Sequence, residues 1–189
     1  MVPADSGMKL HLSKIAEGPS RHHLRLRVAA LPRLAEVAAA DGPETGEVSA
    51  DLDVRMLAGA VEVRGDLRVA MRVPCTMCLE PAEVRLEEPV AVVQAPVSML
   101  NDLPDDLQLS QSDLNIDYFE GNEIDLVALT EEQVLLMLPE VVYCREDCQG
   151  ICGGCKRNLN ESECVCVPDN SDHPFAAMKS LLDDPPGRS

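Results

Sequence analysis

The chain has no tryptophan and only two tyrosines and two phenylalanines in 189 residues. A core without large rings has to come from Val, Leu, Ala and Met. The hydrophobic share of 46% is enough for one, but a core of small side chains gains from metal cross-links. Basic residues are also scarce, 16 against 33 acidic ones, for a net charge of −17. A field of that sign repels phosphate backbone over most of the surface, so basic protein partners are expected ahead of free RNA. Long apolar runs are missing too. The longest, Val134 to Leu138, falls far short of the roughly 20 residues that cross a bilayer, so no membrane is expected. Residues 1–20 lack a basic stretch followed by an extended apolar one, and a reducing, cytoplasmic setting is expected.

The chain does have eight cysteines, six of them between Cys144 and Cys166. Cys144 and Cys148 form a Cys-x3-Cys pair, Cys152 and Cys155 a Cys-x-x-Cys pair, and Cys164 and Cys166 a Cys-x-Cys pair; Cys75 and Cys78 form a remote Cys-x-x-Cys. A Cys-x-x-Cys turn aims two thiolates at one ion, and Gly150, Gly153 and Gly154 allow backbone N–H groups to approach the sulfurs. Eight such ligands suit two four-thiolate zinc ions. Disulfides would need an oxidising compartment. A thioredoxin-like pair opens a helix, whereas Leu79-Glu80-Pro81 reads as a turn into another strand. Iron–sulfur ligation is the other competing chemistry. Two partitions of the ligands stay open. In the preferred one, Cys152, Cys155, Cys164 and Cys166 close locally, and Cys75, Cys78, Cys144 and Cys148 clamp a hairpin tip to the end of a helix. In the other, the two Cys-x-x-Cys pairs share an ion as in a zinc ribbon.

The remaining pattern predicts an α+β fold with a mainly antiparallel β core, a long hairpin with flanking strands, a few short helices and the Cys-rich knuckles. Leu10 and Leu12, then Leu24, Leu26 and Val28, predict two short strands around Gly18-Pro19, and Leu34 to Ala40 a short helix behind Pro32. His22 and His23 read as strand residues, not ligands. Val48 to Met56 and Val61 to Val73 alternate as a hairpin. Pairing Met56 with Val61 sets Arg55 against Glu62 and Asp53 against Arg64, so charge selects that register. Gly65 suggests a bulge. A further strand is expected from Ala82 to Gln94 with Pro89 as a break or an edge, and another from Asn115 to Phe119. A short buried helix should start at Asp125 or at the Thr130 to Gln133 capping box and end at Pro139. His173 to Leu182 predicts a terminal helix. The organisation expected is a β-rich part over 1–97, an acidic loop or linker over 98–113, and a helix with the Cys-rich region and terminal helix over 114–184, all one folded unit. Arg64, Arg68 and Arg72 recur along the polar face of one strand. They are candidate contacts for RNA or a partner, but pairing with the acidic strand beside them is the simpler reading.

Several blocks in their order resemble the YceD family: Val73-Pro-Cys75 to Cys78-Leu-Glu80-Pro81, Glu123-Ile-Asp125-Leu126 running to Leu138-Pro139, Cys144 to Cys155 with Asn158-Leu159-Asn160, and Cys164-x-Cys166 followed by Pro174-Phe175-Ala176. The resemblance runs from about Gly46 to Leu182. Gly153-Gly154-Cys155-Lys156 stands where the family often has Pro and Cys-Gly. The resemblance implies a cytoplasmic bacterial or plastid protein needed for accumulation of large-subunit (23S) ribosomal RNA, with large-subunit precursors or ribosomal proteins as partners. No nucleophile stands beside an identifiable base, and four thiolates per ion leave no open position, so a non-catalytic factor is expected. The competing readings are an RNA-processing or modifying enzyme and a zinc-thiolate redox switch.

Overall fold

A computed structural model describes residues 8–102 and 116–166. Most of the expected acidic linker and all of the expected terminal helix lie outside the described residues.

The fold centres on a five-stranded sheet in the order β2-β3-β4-β5-β6, where β2 is Ser20–Arg27, β3 Glu47–Leu57, β4 Ala60–Pro74, β5 Pro81–Pro96 and β6 Ile116–Phe119. Alternation decides which face is wet. Val48, Ala50, Leu52 and Val54 on β3 and Val61, Val63, Leu67, Val69, Met71 and Val73 on β4 are buried, with Leu24, Val84, Val90 and Val92 from the strands on either side. Their neighbours in sequence form the charged face. The β3–β4 register is the one that charge selects, with Met56 opposite Val61, Arg55 opposite Glu62 and Asp53 opposite Arg64. Its two-residue turn places Ala58 and Gly59 at φ 49 and 88, as the tight hairpin turn that follows strand twist requires. The same register sets Asp51 opposite Asp66, and the like charges are relieved because Asp51 bonds His23 of β2 and Arg68 of β4.

Two strand expectations are corrected, and the direction of one further strand is settled. Gly65 makes no bulge, because the pairing runs unbroken through Leu52–Gly65 and Gly65–Val90. A Cβ there would stand 1.9 Å from the Asp51 carbonyl oxygen, so glycine permits close contact between backbones. The first two segments form no hairpin. β1 (Lys9–His11) pairs with β7 (Glu123–Asp125) in a separate two-stranded sheet. Leu12 opens a helix, α1 (Leu12–Ala16), capped by the His11 imidazole accepting from the Ser13 N–H and anchored by buried Ile15. β6 lies parallel to β5; alternation carries no strand direction, and the residues between the two are enough for the crossover that a parallel pair needs. Pro89 sits where β5 has β4 on one side only, consistent with an edge.

The helix after β7, α4 (Leu126–Met137), starts at the earlier of its two candidate positions. The Asp125 carboxylate accepts from the N–H groups of Val127 and Ala128 at 2.9 and 3.2 Å. Thr130 is not a cap, since its hydroxyl donates to the Leu126 carbonyl one turn back. Glu131 also has a different role. Its buried carboxylate accepts from the N–H groups of Arg33 and Leu34 at 2.7 and 3.1 Å, capping α2 (Pro32–Val37) from across the core. Leu126, Leu129 and Val134 are buried, but Leu136 is 74% exposed, so α4 is not apolar-buried all round. A four-residue helix, α3 (Gly42–Thr45), leads into β3.

Candidate metal centre

β4 ends at Pro74, paired with Pro81 at the start of β5, and the turn between them holds Cys75-Thr76-Met77-Cys78. Cys75 donates its N–H to the Glu80 carbonyl and Leu79 donates to the Cys75 carbonyl, closing the knuckle. After α4 the chain runs extended beside it. Thr76 N–H donates to the Val142 carbonyl, and its hydroxyl accepts from the Val142 N–H at 3.0 Å. This pairing delivers Cys144 to Cys78, with sulfurs 3.5 Å apart, and Cys148 to Cys75 at 3.8 Å. Ile151 then donates to the Met77 carbonyl, while Gly150, at φ 75, passes so close that a Cβ would meet Met77. Cys75 and Cys78 are buried with Ala82 in a small core of their own, packed by Val142 and Ile151.

The second cluster is local. Cys152 N–H donates to the Arg157 carbonyl, Lys156 N–H to the Cys152 carbonyl, and Ile151 bridges Asn158. Cys164 lies 3.3 Å from Cys152 and 3.5 Å from Cys155, sulfur to sulfur.

All eight cysteines thus fall into two groups, Cys75, Cys78, Cys144, Cys148 and Cys152, Cys155, Cys164, Cys166, each with ligand atoms within 4.8 Å of one another. This grouping is the locally closed partition, not the ribbon. The fit to a metal can be tested on sulfur spacing. Zinc–sulfur bonds of about 2.3 Å in a tetrahedron give edges of about 3.8 Å, whereas a disulfide is about 2.0 Å. The separations of 3.3–3.8 Å lie at or somewhat below the first and far beyond the second. Proton affinities are graded within each group. Burial pushes the Cys75 thiol up, but N–H groups of Cys144, Cys78 and Met77 aimed at its sulfur outweigh that and hold it at about 6. The N–H of Cys155, with the Cys164 thiol and the Gly154 N–H, brings Cys152 to about 6. Burial and three neighbouring thiols push Cys144 up to about 12, and Cys164 and Cys155 do the same to Cys166. Without a cation, each group supports one thiolate readily and resists the next. A divalent ion would reverse that resistance.

Asn160 is a participant that sequence reasoning quoted only as part of a motif. Its amide donates to the Cys148 sulfur at 3.5 Å and to Asn158 at 2.8 Å, and its oxygen accepts from the Gln149 N–H at 2.8 Å. The Asn-x-Asn spacing was visible, but its target was not. Arg64 and Arg68 lie back along β4 from the cysteines, Arg72 stands three residues before Cys75, and all three are ion-paired. Arg64 meets Glu62 at 2.8 Å, Arg68 meets Asp51 at 3.0 Å and Glu87 at 2.8 Å, and Arg72 meets Asp41 at 2.6 Å. Glu62, buried on the otherwise wet face, is also gripped by Arg55, and that bond holds its carboxyl below the usual range despite burial. A trough of about 460 Å³ on this face is lined by Arg68, Arg85, Glu47 and Glu87 among others, so both signs of charge meet in it.

The geometry defines an α+β sheet protein with two four-cysteine clusters able to hold metal ions at and beyond one end of its central hairpin. The chain belongs to the YceD family, described as large ribosomal RNA subunit accumulation protein, whose model matches residues 63–182. The match begins inside β4, later than the Gly46 suggested by sequence, and takes in both clusters. The family implies a role in accumulation of large-subunit ribosomal RNA. Comparisons with curated proteins and with solved structures found no match. No helix among the described residues is long and apolar enough to cross a membrane.

Proposed function

We propose that the chain is a non-catalytic zinc-binding factor in large ribosomal subunit biogenesis, supporting accumulation of 23S RNA through protein contacts in the cytoplasm. The observation that carries this reading is the gathering of all eight thiols into two sets of four in a member of this family. Cys75, Cys78, Cys144 and Cys148 would hold one ion, and Cys152, Cys155, Cys164 and Cys166 the other. Four thiolates fill the usual zinc shell and leave no place for water or substrate, so each ion would be a structural staple. The first would tie the β4–β5 turn to the segment after α4, joining the β-rich and Cys-rich parts in one unit. The net charge of −17 supports basic ribosomal proteins as partners. Contact with RNA at Arg64, Arg68 or Arg72 would have to displace a carboxylate already paired with each.

A redox role is favoured by one observation. Cys155 and Cys166 are exposed while Cys75 and Cys78 are buried, so oxidant would reach the second cluster first. Affinity purification from growing cells, with sedimentation of the bound material and metal analysis, tests both. Large-subunit precursors and two zinc ions per chain are the expected result. Less than one zinc per chain, or bound material without large-subunit components, overturns the main reading. Zinc release under mild oxidant together with absent precursors favours the second.

A further inference from the structure

The two knuckles close by the same turn but carry different cargo. In the second, Lys156 follows Cys155 at φ 61 and donates its N–H to the Cys152 carbonyl; in the first, Leu79 follows Cys78 at φ 67 and donates to the Cys75 carbonyl. Glycine takes this left-handed conformation freely, whereas a branched apolar residue is strained in it. The turn accounts for the backbone, but not for a leucine whose side chain is 66% exposed. Leu79 has apolar company. Met77 lies in the same knuckle, and Val141 and Tyr143 flank the Val142 that pairs with Thr76; all three are 45–56% exposed. Single exposed apolar side chains are ordinary, but four on two paired segments form a patch. Its charged neighbours are mostly acidic, and the one cation among them, Arg145, is paired with Asp147 at 3.7 Å. Glu80 follows Leu79, and Glu140 and Glu146 bracket the other segment; none has an ion pair among the described residues.

We propose that this patch is the docking surface for a basic polypeptide segment, with Leu79 and Tyr143 taking an apolar side chain of the partner and Glu80, Glu140 and Glu146 taking its lysines or arginines. The inference rests on the assembly-factor reading above and gives that reading a surface. Apolar contact at the centre with opposite charge around it is the arrangement that supplies both affinity and steering. It also gives the first metal cluster a purpose beyond stability, since the cluster holds the two halves of the patch together.

The probe is a synthetic peptide of alternating arginine and leucine, with an arginine–serine peptide as control, titrated against the zinc-loaded full chain by fluorescence anisotropy. The leucine peptide should bind more tightly than the serine one. Leu79→Asn with Tyr143→Ser should weaken it about tenfold, as loss of central contacts does. Asparagine tolerates the left-handed turn, and metal content measured on the variant separates lost contact from lost fold. Glu80→Gln, Glu140→Gln and Glu146→Gln together should weaken binding several-fold, with a smaller salt dependence. Equal binding of both peptides, or no loss in the metal-replete Leu79/Tyr143 variant, overturns the proposal. A photoactivatable phenylalanine analogue at Val141 should cross-link the peptide. Cross-linking in the free protein to residues 167–189, or to a second copy, also overturns it by naming another occupant. If the Leu79/Tyr143 variant still co-sediments with large-subunit precursors, the surface is wrong and the assembly role stands. If the wild-type chain does not co-sediment, the assembly role itself falls.

Discussion

Asn160 touches the first cysteine cluster without belonging to it. By donating to the Cys148 sulfur while its oxygen is fixed by the Gln149 N–H, it would stabilise a thiolate at Cys148 and so favour a metal ion held there. Asn160→Leu should lower metal affinity at the first cluster on the order of tenfold, the usual lower bound for loss of such a partner, and leave the second cluster unchanged. Competition with a chromophoric chelator, read site by site through Cys-cluster variants, would expose equal weakening of both sites and so refute the assignment. Gly65 is constrained by space alone, with φ in the ordinary range. Since a Cβ there would collide with the Asp51 carbonyl and the Leu52 Cα, Gly65→Ala has to push β3 from β4. A loss of about 1–3 kcal/mol is expected, as for other overpacked sites, measured by denaturant unfolding.

At the scale of elements, α4 is the hinge of the architecture because both of its ends do work. Asp125 belongs to the β1–β7 pair and caps the helix, Glu131 in its second turn caps α2, and its C-terminus hands the chain to Val142 and Cys144. Asp125→Ala should cost about 1 kcal/mol through the lost cap. The loss should appear in amide exchange at Val127 and Ala128 before it appears at the β3–β4 hairpin, and uniform loosening would refute a local effect. The hairpin is held otherwise, by its alternating apolar face and by the cross-strand charge pairs of Arg55 with Glu62 and Arg68 with Asp51.

For the whole molecule, metal and pH act together. If each cluster holds an ion, chelation or Cys75→Ser should loosen the packing of the β4–β5 turn against the segment after α4, lowering the melting temperature and exposing the amides of Cys75 and Thr76 to exchange. An unchanged melting curve would make the metals incidental. Acid should have the same sense by two routes. Thiolate ligands regain protons as pH falls, releasing metal. Asp51, Asp53 and Glu62 have carboxyls held below their usual values, first by hydrogen bonds from His23, Arg21 and Arg55 respectively. Their contribution is therefore complete above the unfolded values near 4 and disappears as pH falls through the lower folded ones. Acid titration of the metal-free chain, followed by circular dichroism, should still show the second loss. Glu62→Gln should reduce its size.

Sequence by itself determined the β3–β4 hairpin and its register, because a period of two with one wet face admits few pairings and like charges opposed each other in the alternative. It also marked the eight thiols as spaced in pairs suited to holding metal ions, since a Cys-x-x-Cys turn is local geometry. Tertiary structure decided the rest. Strand direction left β6 free to run parallel, and nothing in Lys9–His11 reveals a partner more than a hundred residues away. The Thr130 to Gln133 pattern reads as a cap from sequence, but capping depends on where the helix starts, and a better acceptor stood at Asp125. The grouping of Cys75 and Cys78 with Cys144 and Cys148 depends on two hydrogen bonds between Thr76 and Val142, contacts between segments that spacing cannot align. The exposure of Leu79 was likewise invisible, because it follows from a backbone conformation that the knuckle imposes and no periodicity encodes.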